Sequence, residues 1–151
     1  MSKLRIGWKD WVLVCDGARA LFLRNDGDAQ LLNLVVVDHS TMHAPAARQM
    51  GTDRPGRVVS SGGTSRSAVG QYDLHLAAED EFLADVARKI DDLVADGSVG
   101  RLVIVAPPRP LGQLRDRIDM KTKAIVAAEI AKDLTKLPID EIETHLAALF
   151  E

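Results

Sequence analysis

The stretch Trp11-Val-Leu-Val-Cys-Asp-Gly-Ala-Arg-Ala-Leu-Phe-Leu-Arg24 decides the fold. Its first five residues form a continuous apolar run that ends at the turn signal Asp16-Gly17, and the residues from Ala18 to Arg24 then alternate between two faces. Leu31 to Val37, beyond a second turn at Asn25 to Asp28, is rich in the β-branched residues that strands favour. Three strands joined by tight turns predict an antiparallel meander.

The second half of the chain predicts helices around one buried strand. Apolar residues recur at helical spacing from Asp73 to Ala95, and Gly97 supplies the stop. Arg101 to Ala106 is a buried strand, and Leu111 to Ile118 a short helix. Pro138 fits the first turn of a last helix. The apolar face of that helix carries Ile142, Leu146 and Leu149.

The segment from Lys123 to Leu134 fits two structures. Its alanines favour a helix, whereas its alternation also permits a strand, and composition alone selects the helix. A buried strand that follows a long helix normally pairs in parallel with the earlier sheet. If this segment is a fifth strand, the chain is an α/β fold with the strand order of a ribonuclease H-like domain.

Composition bounds the class of protein. The length of 151 residues predicts one domain, residues 1–151. The single cysteine, Cys15, excludes an internal disulfide and a cysteine-rich zinc site. We expect a cytoplasmic protein without membrane contact, because the chain begins with no secretory signal and its apolar runs are too short to span a bilayer. The net charge of −3 argues against general nucleic-acid binding.

A long loop, residues 38–72, is the local exception to that charge. It has five glycines and two prolines, and Ser40 to Gly70 holds four of the 19 basic residues but one of the 22 acidic residues. Arginine forks bind phosphate, so Arg54, Arg57 and Arg66 are candidate contacts for RNA or another polyanion. Alternatively, the loop is solvated and its arginines pair with the acidic body of the same molecule.

Within this loop, Asp53-Arg-Pro-Gly-Arg57 predicts a compact turn. Asp53, Pro55 and Gly56 would shape it, leaving Arg57 free to face a ligand.

A second pair of arginines follows the buried strand. Open α/β sheets place ligands beyond the carboxyl ends of parallel strands, and a helix N-terminus there attracts anions. Arg109 and Arg115 are therefore further candidates for phosphate contacts. In the alternative interpretation, Pro107-Pro108 only ends the strand and both arginines are solvated.

The sequence gives little support for a catalytic site or a metal site. Asp38, His39 and His43 are close in sequence but surrounded by residues that disfavour the helix needed to align the histidines. Asp16, at the end of the first strand, could serve a two-metal nuclease, but the fourth strand ends in Ala-Pro-Pro-Arg where an acid would be needed. We expect no metal and no cofactor, and assign Asp16 a structural role.

Together, several segments resemble the bacterial host-attachment protein family, which is similar to the middle domain of archaeal and eukaryotic peptide-chain release factors. These segments are Trp11 to Ala20, Asp53-Arg-Pro-Gly-Arg57, Leu102-Val-Ile-Val-Ala-Pro-Pro108, Leu111-Gly-Gln-Leu-Arg115, Lys132-Asp-Leu-Thr135 and Glu141-Ile-Glu-Thr-His-Leu146. The resemblance implies a ribonuclease H-like mixed sheet of about five strands with flanking helices. It also implies a strand around Lys123 to Ile130, in place of the helix that composition selects.

The resemblance also implies a role. Release factors insert a Gly-Gly-Gln loop at the ribosomal peptidyl-transfer site, whereas this chain has Gly62-Gly63-Thr64 and lacks the glutamine. We therefore expect a non-catalytic binding protein whose arginines contact the ribosome, tRNA or another polyanion. Two alternatives stay open: a hydrolase of esters or phosphoesters, and a regulatory protein that affects cell attachment through a protein partner. The sequence does not predict an oligomeric state.

Overall fold

The computed structural model describes residues 5–42 and 64–149. In chain order, the elements are β1 (Trp11–Cys15), β2 (Arg19–Asn25), β3 (Leu34–Thr41), α1 (Thr64–Ala95), β4 (Leu102–Ala106), α2 (Pro108–Arg117), α3 (Met120–Ile125), β5 (Val126–Ala131) and α4 (Ile139–Leu149). The five strands form one sheet in the order β3-β2-β1-β4-β5.

The sheet is mixed, as the sequence predicts. β1 pairs antiparallel with β2, and β2 with β3, which makes the meander. β4 pairs in parallel with β1 and with β5. Consequently β1, β3, β4 and β5 all run in one direction and end at the same edge, which we call the carboxyl edge. The predicted α/β, ribonuclease H-like fold is confirmed.

Two apolar layers cover the sheet, because side chains alternate between its faces. Leu13 and Ile104 belong to the layer under α1 and α2, where Leu83 and Ile90 also lie. Val12, Val14, Val103 and Val105 belong to the layer under α4. β1 and β4 are buried along their whole length, which explains why both read as unbroken apolar runs.

The ends of the predicted loop 38–72 lie in regular structure. β3 continues to Thr41 because it keeps pairing with β2 beyond a register shift between Phe22 and Leu23. Lys89 of α1 supports this end of β3 through an ion pair of 2.6 Å with Asp38. α1 begins at Thr64, nine residues before the predicted Asp73. The predicted turn from Asp53 to Arg57 lies outside the described residues.

The segment from Lys123 to Leu134, which the sequence leaves ambiguous, contains the end of a helix followed by a strand. α3 ends at Ile125, and β5 follows at once as Val126–Ala131. Asp119 caps α3, its side chain accepting the backbone N–H of Thr122. The helix that composition selects for Lys123 to Leu134 is wrong beyond Ile125, because pairing with β4 overrides the helical preference of alanine. The strand implied around Lys123 to Ile130 is confirmed, with its start three residues later.

The last helix follows Pro138, as predicted, and buries Ile142 and Leu146. Leu149 is 43% exposed, so the predicted apolar face is shorter by one turn. No helix within residues 5–42 and 64–149 combines the length and apolar character needed to cross a membrane.

Candidate functional site

The carboxyl edge holds two of the predicted site residues that the structure describes. Asp16 follows β1 there, and Arg109 follows β4. The chain also leaves β3 at this edge, where Met42 donates its backbone N–H to the carbonyl of Ala18 at 2.8 Å. The arginine-bearing segment after Met42 therefore starts beside the turn that Asp16 forms. Arg54, Arg57, Asp53, Pro55 and Gly56 lie outside the described residues.

Asp16 organises the turn between β1 and β2. Its Oδ1 accepts the backbone N–H groups of Ala18 and Arg19, each at 2.8 Å. Its Oδ2 accepts the hydroxyl of Thr135 at 2.9 Å. The carboxylate thus satisfies donors from two loops, which agrees with the structural role expected for it.

Thr135 is the partner that the sequence does not reveal. It is buried after β5, and its Oγ1 lies 2.8 Å from Asp133 Oδ1 as well as 2.9 Å from Asp16 Oδ2. The hydroxyl, with one proton to donate, bridges two carboxylates and ties the loop after β5 to the end of β1. Because Thr135 and Asp16 are 119 residues apart, no local pattern could have indicated the contact.

Cys15 lies next to this bridge but is unreactive in character. Burial raises the pKa of its thiol to about 12, and the negative charges of Asp16 and Asp133 add to the rise. Nucleophilic cysteines need the opposite surroundings, with cations and partial exposure. The strand-end cysteine therefore behaves as a small apolar core residue.

Gly17 lies close to the side chain of Glu79 in α1. A Cβ at Gly17 would lie 2.9 Å from the carboxyl carbon of Glu79, which is the far end of a flexible side chain, so a larger residue would displace that carboxylate. α1 begins fifteen residues before Glu79, a length of about 22 Å at the usual helical rise. Arg66, in the first turn of α1, therefore lies about 20 Å along the helix from the Gly17 contact.

Arg109 is a free cation at the start of α2. Its side chain is exposed and makes no hydrogen bond or ion pair within the described part of the chain. The helix N-terminus adds little to it, because Pro107, Pro108 and Pro110 have no N–H to donate. An anion at this site would therefore be attracted mainly by the charge of Arg109 and little by the helix N-terminus.

Arg115 is engaged within the molecule. Its Nε and Nη2 donate to Glu129 Oε1 of β5 at 2.8 and 2.5 Å. The hydrogen bond and the charge of Glu129 raise the pKa of Arg115. A phosphate would have to compete with Glu129 for this guanidinium, so Arg109 is the stronger candidate of the two.

Arg19 is a site residue that the prediction missed. It begins β2 at the carboxyl edge, opposite Thr41, and its side chain is exposed. Like Arg109, it has no ion pair with any residue that the structure describes. Its place directly after the Asp16-Gly-Ala turn was the available signal. Arg19 and Arg109 thus stand at the same edge of the sheet, and neither forms an ion pair with a residue that the structure describes.

The described residues form no metal-binding site. Within residues 5–42 and 64–149, no three His, Cys, Asp or Glu side chains are placed to hold a metal ion. Of the three residues considered for a metal, Asp38 pairs with Lys89 and His43 lies outside the described part of the chain.

The family of the chain follows from its sequence over residues 9–146, which match the profile of bacterial archaeo-eukaryotic release factor family 12. The chain belongs to this family. The match supports the similarity to release factors that the sequence motifs indicate. The family description does not mention attachment to host cells.

Solved structures and curated proteins add two findings. The archaeal translation termination factor aRF1 is similar in structure, with 13% sequence identity and a TM-score of 0.45. The similarity covers 91% of this chain and 41% of the archaeal factor, so the chain spans well under half of that protein. No curated protein matches the sequence.

Proposed function

We propose that this release factor family member is a non-catalytic binding protein of translation in the cytoplasm. In this proposal, Arg54, Arg57 and Arg66 contact phosphates of ribosomal RNA, tRNA or another polyanion. The observation that carries the proposal is the family match over residues 9–146, since it links nearly the whole chain to translation termination factors.

The carboxyl edge supports the use of phosphate contacts. The arginine-bearing segment leaves β3 beside Arg19, and Arg109 stands at the same edge without a partner among the described residues. Arg19 and Arg109, which have no ion pair among the described residues, would add their charges to those of the segment, beside the carboxylates of Asp16 and Asp133. Arg115 would join them only after release from Glu129.

The contacts of Asp16 and Thr135 support binding over the hydrolase alternative. A hydrolase would need a carboxylate or hydroxyl free to act on substrate or water. Here Asp16 accepts three hydrogen bonds and the Thr135 hydroxyl is directed at carboxylates in a buried site. The third alternative, an effect on cell attachment through a protein partner, predicts a specific protein that stays bound after nuclease treatment.

The test is sedimentation of the tagged chain from its own cell lysate through sucrose gradients at low and high salt. The chain should travel with ribosomal particles at low salt and leave them at high salt, because phosphate contacts release counterions. The Arg54/Arg57/Arg66→Ala variant should remain at the top of the gradient.

A charge-matched control removes three cations elsewhere. Arg88, Lys121 and Lys123 are exposed and lie away from the carboxyl edge, on the middle of α1 and on α3. Their triple alanine variant should sediment like the unaltered chain. If the chain stays at the top of every gradient, or if both triple variants behave alike, the proposal is wrong.

A further inference from the structure

A turn at the opposite edge of the sheet, before β1, holds an exposed tryptophan next to a residue with a disfavoured backbone conformation. The turn runs from Gly7 to Asp10 and is closed by the Asp10 N–H, which donates to the Gly7 carbonyl at 3.1 Å. Trp8 and Lys9 occupy its two central positions. Lys9 has φ of 70°, the only positive value at a non-glycine residue in the described part of the chain. This conformation favours glycine at the same position of a turn.

Two other segments hold the turn in place, the end of β2 and the residue before β4. The buried Asn25 donates its side-chain amide to the carbonyls of Ile6 and Gly7 at 3.1 and 3.0 Å. Its backbone carbonyl accepts the Lys9 N–H at 2.7 Å. Asp10 accepts the Gly7 N–H at 2.8 Å and forms an ion pair of 2.6 Å with Arg101. A disfavoured backbone that is fixed from so many sides persists where it positions a functional side chain.

Trp8 is the side chain that the turn presents. It is 64% exposed, whereas Trp11, three residues later, is 4% exposed. The Lys9 ammonium lies 4.7 Å from the centre of the Trp8 ring. Arg5 is exposed nearby in sequence and, like Lys9, has no ion pair among the residues that the structure describes. An exposed aromatic ring with cations beside it matches a nucleic-acid base joined to phosphates.

The acids around the turn are already engaged. Asp10 pairs with Arg101, and Asp26 pairs with Arg24 at 2.6 Å. The carboxylate of Asp28 accepts the backbone N–H groups of Gln30 and Leu31. The charge of Lys9 helps to lower the pKa of Asp26, but Lys9 and Arg5 form no ion pair with any residue that the structure describes. These two cations therefore favour an anionic partner.

We propose that the Trp8–Lys9 turn is a contact for single-stranded RNA, in which a base stacks on the Trp8 indole while Lys9 and Arg5 contact the adjoining phosphates. The choice of RNA rests on the proposed function, which this contact deepens. The turn lies at the edge opposite the carboxyl edge, where the chain leaves β3 at Met42. In this proposal, the turn is a contact separate from the one proposed for Arg54, Arg57 and Arg66.

Tryptophan fluorescence tests this contact directly, because Trp8 and Trp11 are the two tryptophans of the chain and one of them is buried. Titration of the full chain with a single-stranded 12-nucleotide RNA should quench the emission of Trp8. Binding of variants without Trp8 is measured by the fluorescence anisotropy of a dye-labelled copy of the same RNA. Trp8→Ala should weaken binding about five-fold or more, whereas Trp8→Phe should retain most of it. Lys9→Gln should lower the salt dependence by roughly one phosphate contact.

Lys9→Gly separates function from folding. Glycine relieves the disfavoured φ, so the variant should unfold about 2–4 °C higher while it binds RNA less tightly. Met120→Ala removes another highly exposed apolar side chain, at the start of α3, and should leave binding unchanged. A Trp8→Ala variant that binds RNA as well as the unaltered chain overturns the inference.

The same titration distinguishes this inference from the proposed function. The Arg54/Arg57/Arg66→Ala variant should still show quenching of Trp8, because its own turn is unaltered. Sedimentation with ribosomes but no quenching of Trp8 by RNA overturns the inference alone. Quenching of Trp8 without sedimentation overturns the proposed arginine contact alone. Protection of Trp8 by a nuclease-treated lysate, with no response to RNA, would assign the turn to a protein and overturn the RNA contact.

Discussion

Cys15 and Asp16 are neighbours at the end of β1, yet they have different roles. Cys15 enters the core beneath α1 and α2, while Asp16 caps the following turn and accepts the Thr135 hydroxyl. The negative charges near the thiol make its ionisation still harder than burial alone does. The chemistry at this strand end is therefore that of a fixed scaffold.

Cys15 should resist thiol reagents in the folded protein. With the pKa of its thiol raised to about 12, almost no thiolate exists at pH 8, and the side chain is fully buried. Iodoacetamide at pH 8 should leave the native chain unmodified over the time in which a free thiol compound reacts completely. The same chain in urea should take up one equivalent. Rapid modification of the native protein would contradict the structure at this strand end.

At the residue scale, the sequence predicts those features that depend on neighbouring residues in the chain. The Asp16-Gly17 turn and the buried position of Cys15 both follow from a run of apolar residues that ends in a turn signal. The role of Thr135 could not be predicted, because it depends on a hydrogen bond with Asp16, which is 119 residues away in the sequence. The Trp8–Lys9 turn was missed for another reason: a lysine at a position that favours glycine hides the turn.

At the scale of elements, tertiary pairing decides where local propensity is weak. The start of α1 was predicted nine residues late, since Ser65, Ser67 and Gly70 are poor helix formers. The junction of α3 and β5 shows the reverse case, in which alanines that favour a helix form a strand beside β4. Strands made of β-branched runs, β1 and β4 above all, were predicted almost to the residue.

Thr135 joins two elements that share no backbone pairing, the end of β1 and the loop after β5. Thr135→Val keeps the shape of the side chain but leaves Asp16 and Asp133 without the hydroxyl proton. Unfolding in urea should show a loss of about 1–3 kcal/mol. Thr135→Ser, which keeps the hydroxyl, should lose less. If valine is as stable as threonine, the bridge between the two carboxylates does not contribute to folding.

At the scale of the whole molecule, charge is separated between an acidic body and the basic segment after β3. α1 carries Glu79, Asp80 and Glu81 in succession, against a total charge of −3 for the chain. Several carboxylates of the body are fixed by local donors. Lys89 lowers the pKa of Asp38, and backbone N–H groups lower the pKa of Asp28 and of Asp119. Folding is therefore linked to the ionisation of these side chains.

This linkage sets the acid limit of stability. A carboxylate whose pKa is lowered by folding stabilises the native state above its unfolded pKa, and this contribution is lost as the pH falls through the folded pKa. The free energy of unfolding, measured in urea, should therefore be nearly constant from pH 7 to pH 5 and fall below about pH 4. Asp38→Asn removes one of these carboxylates and its ion pair with Lys89, so the variant should be less stable at pH 7. Its free energy of unfolding should also fall by a smaller amount when the pH is lowered. His145→Gln, at an exposed position on α4, should keep the full acid dependence. An unfolding free energy that stays constant down to pH 3 would show that these contacts add nothing to folding.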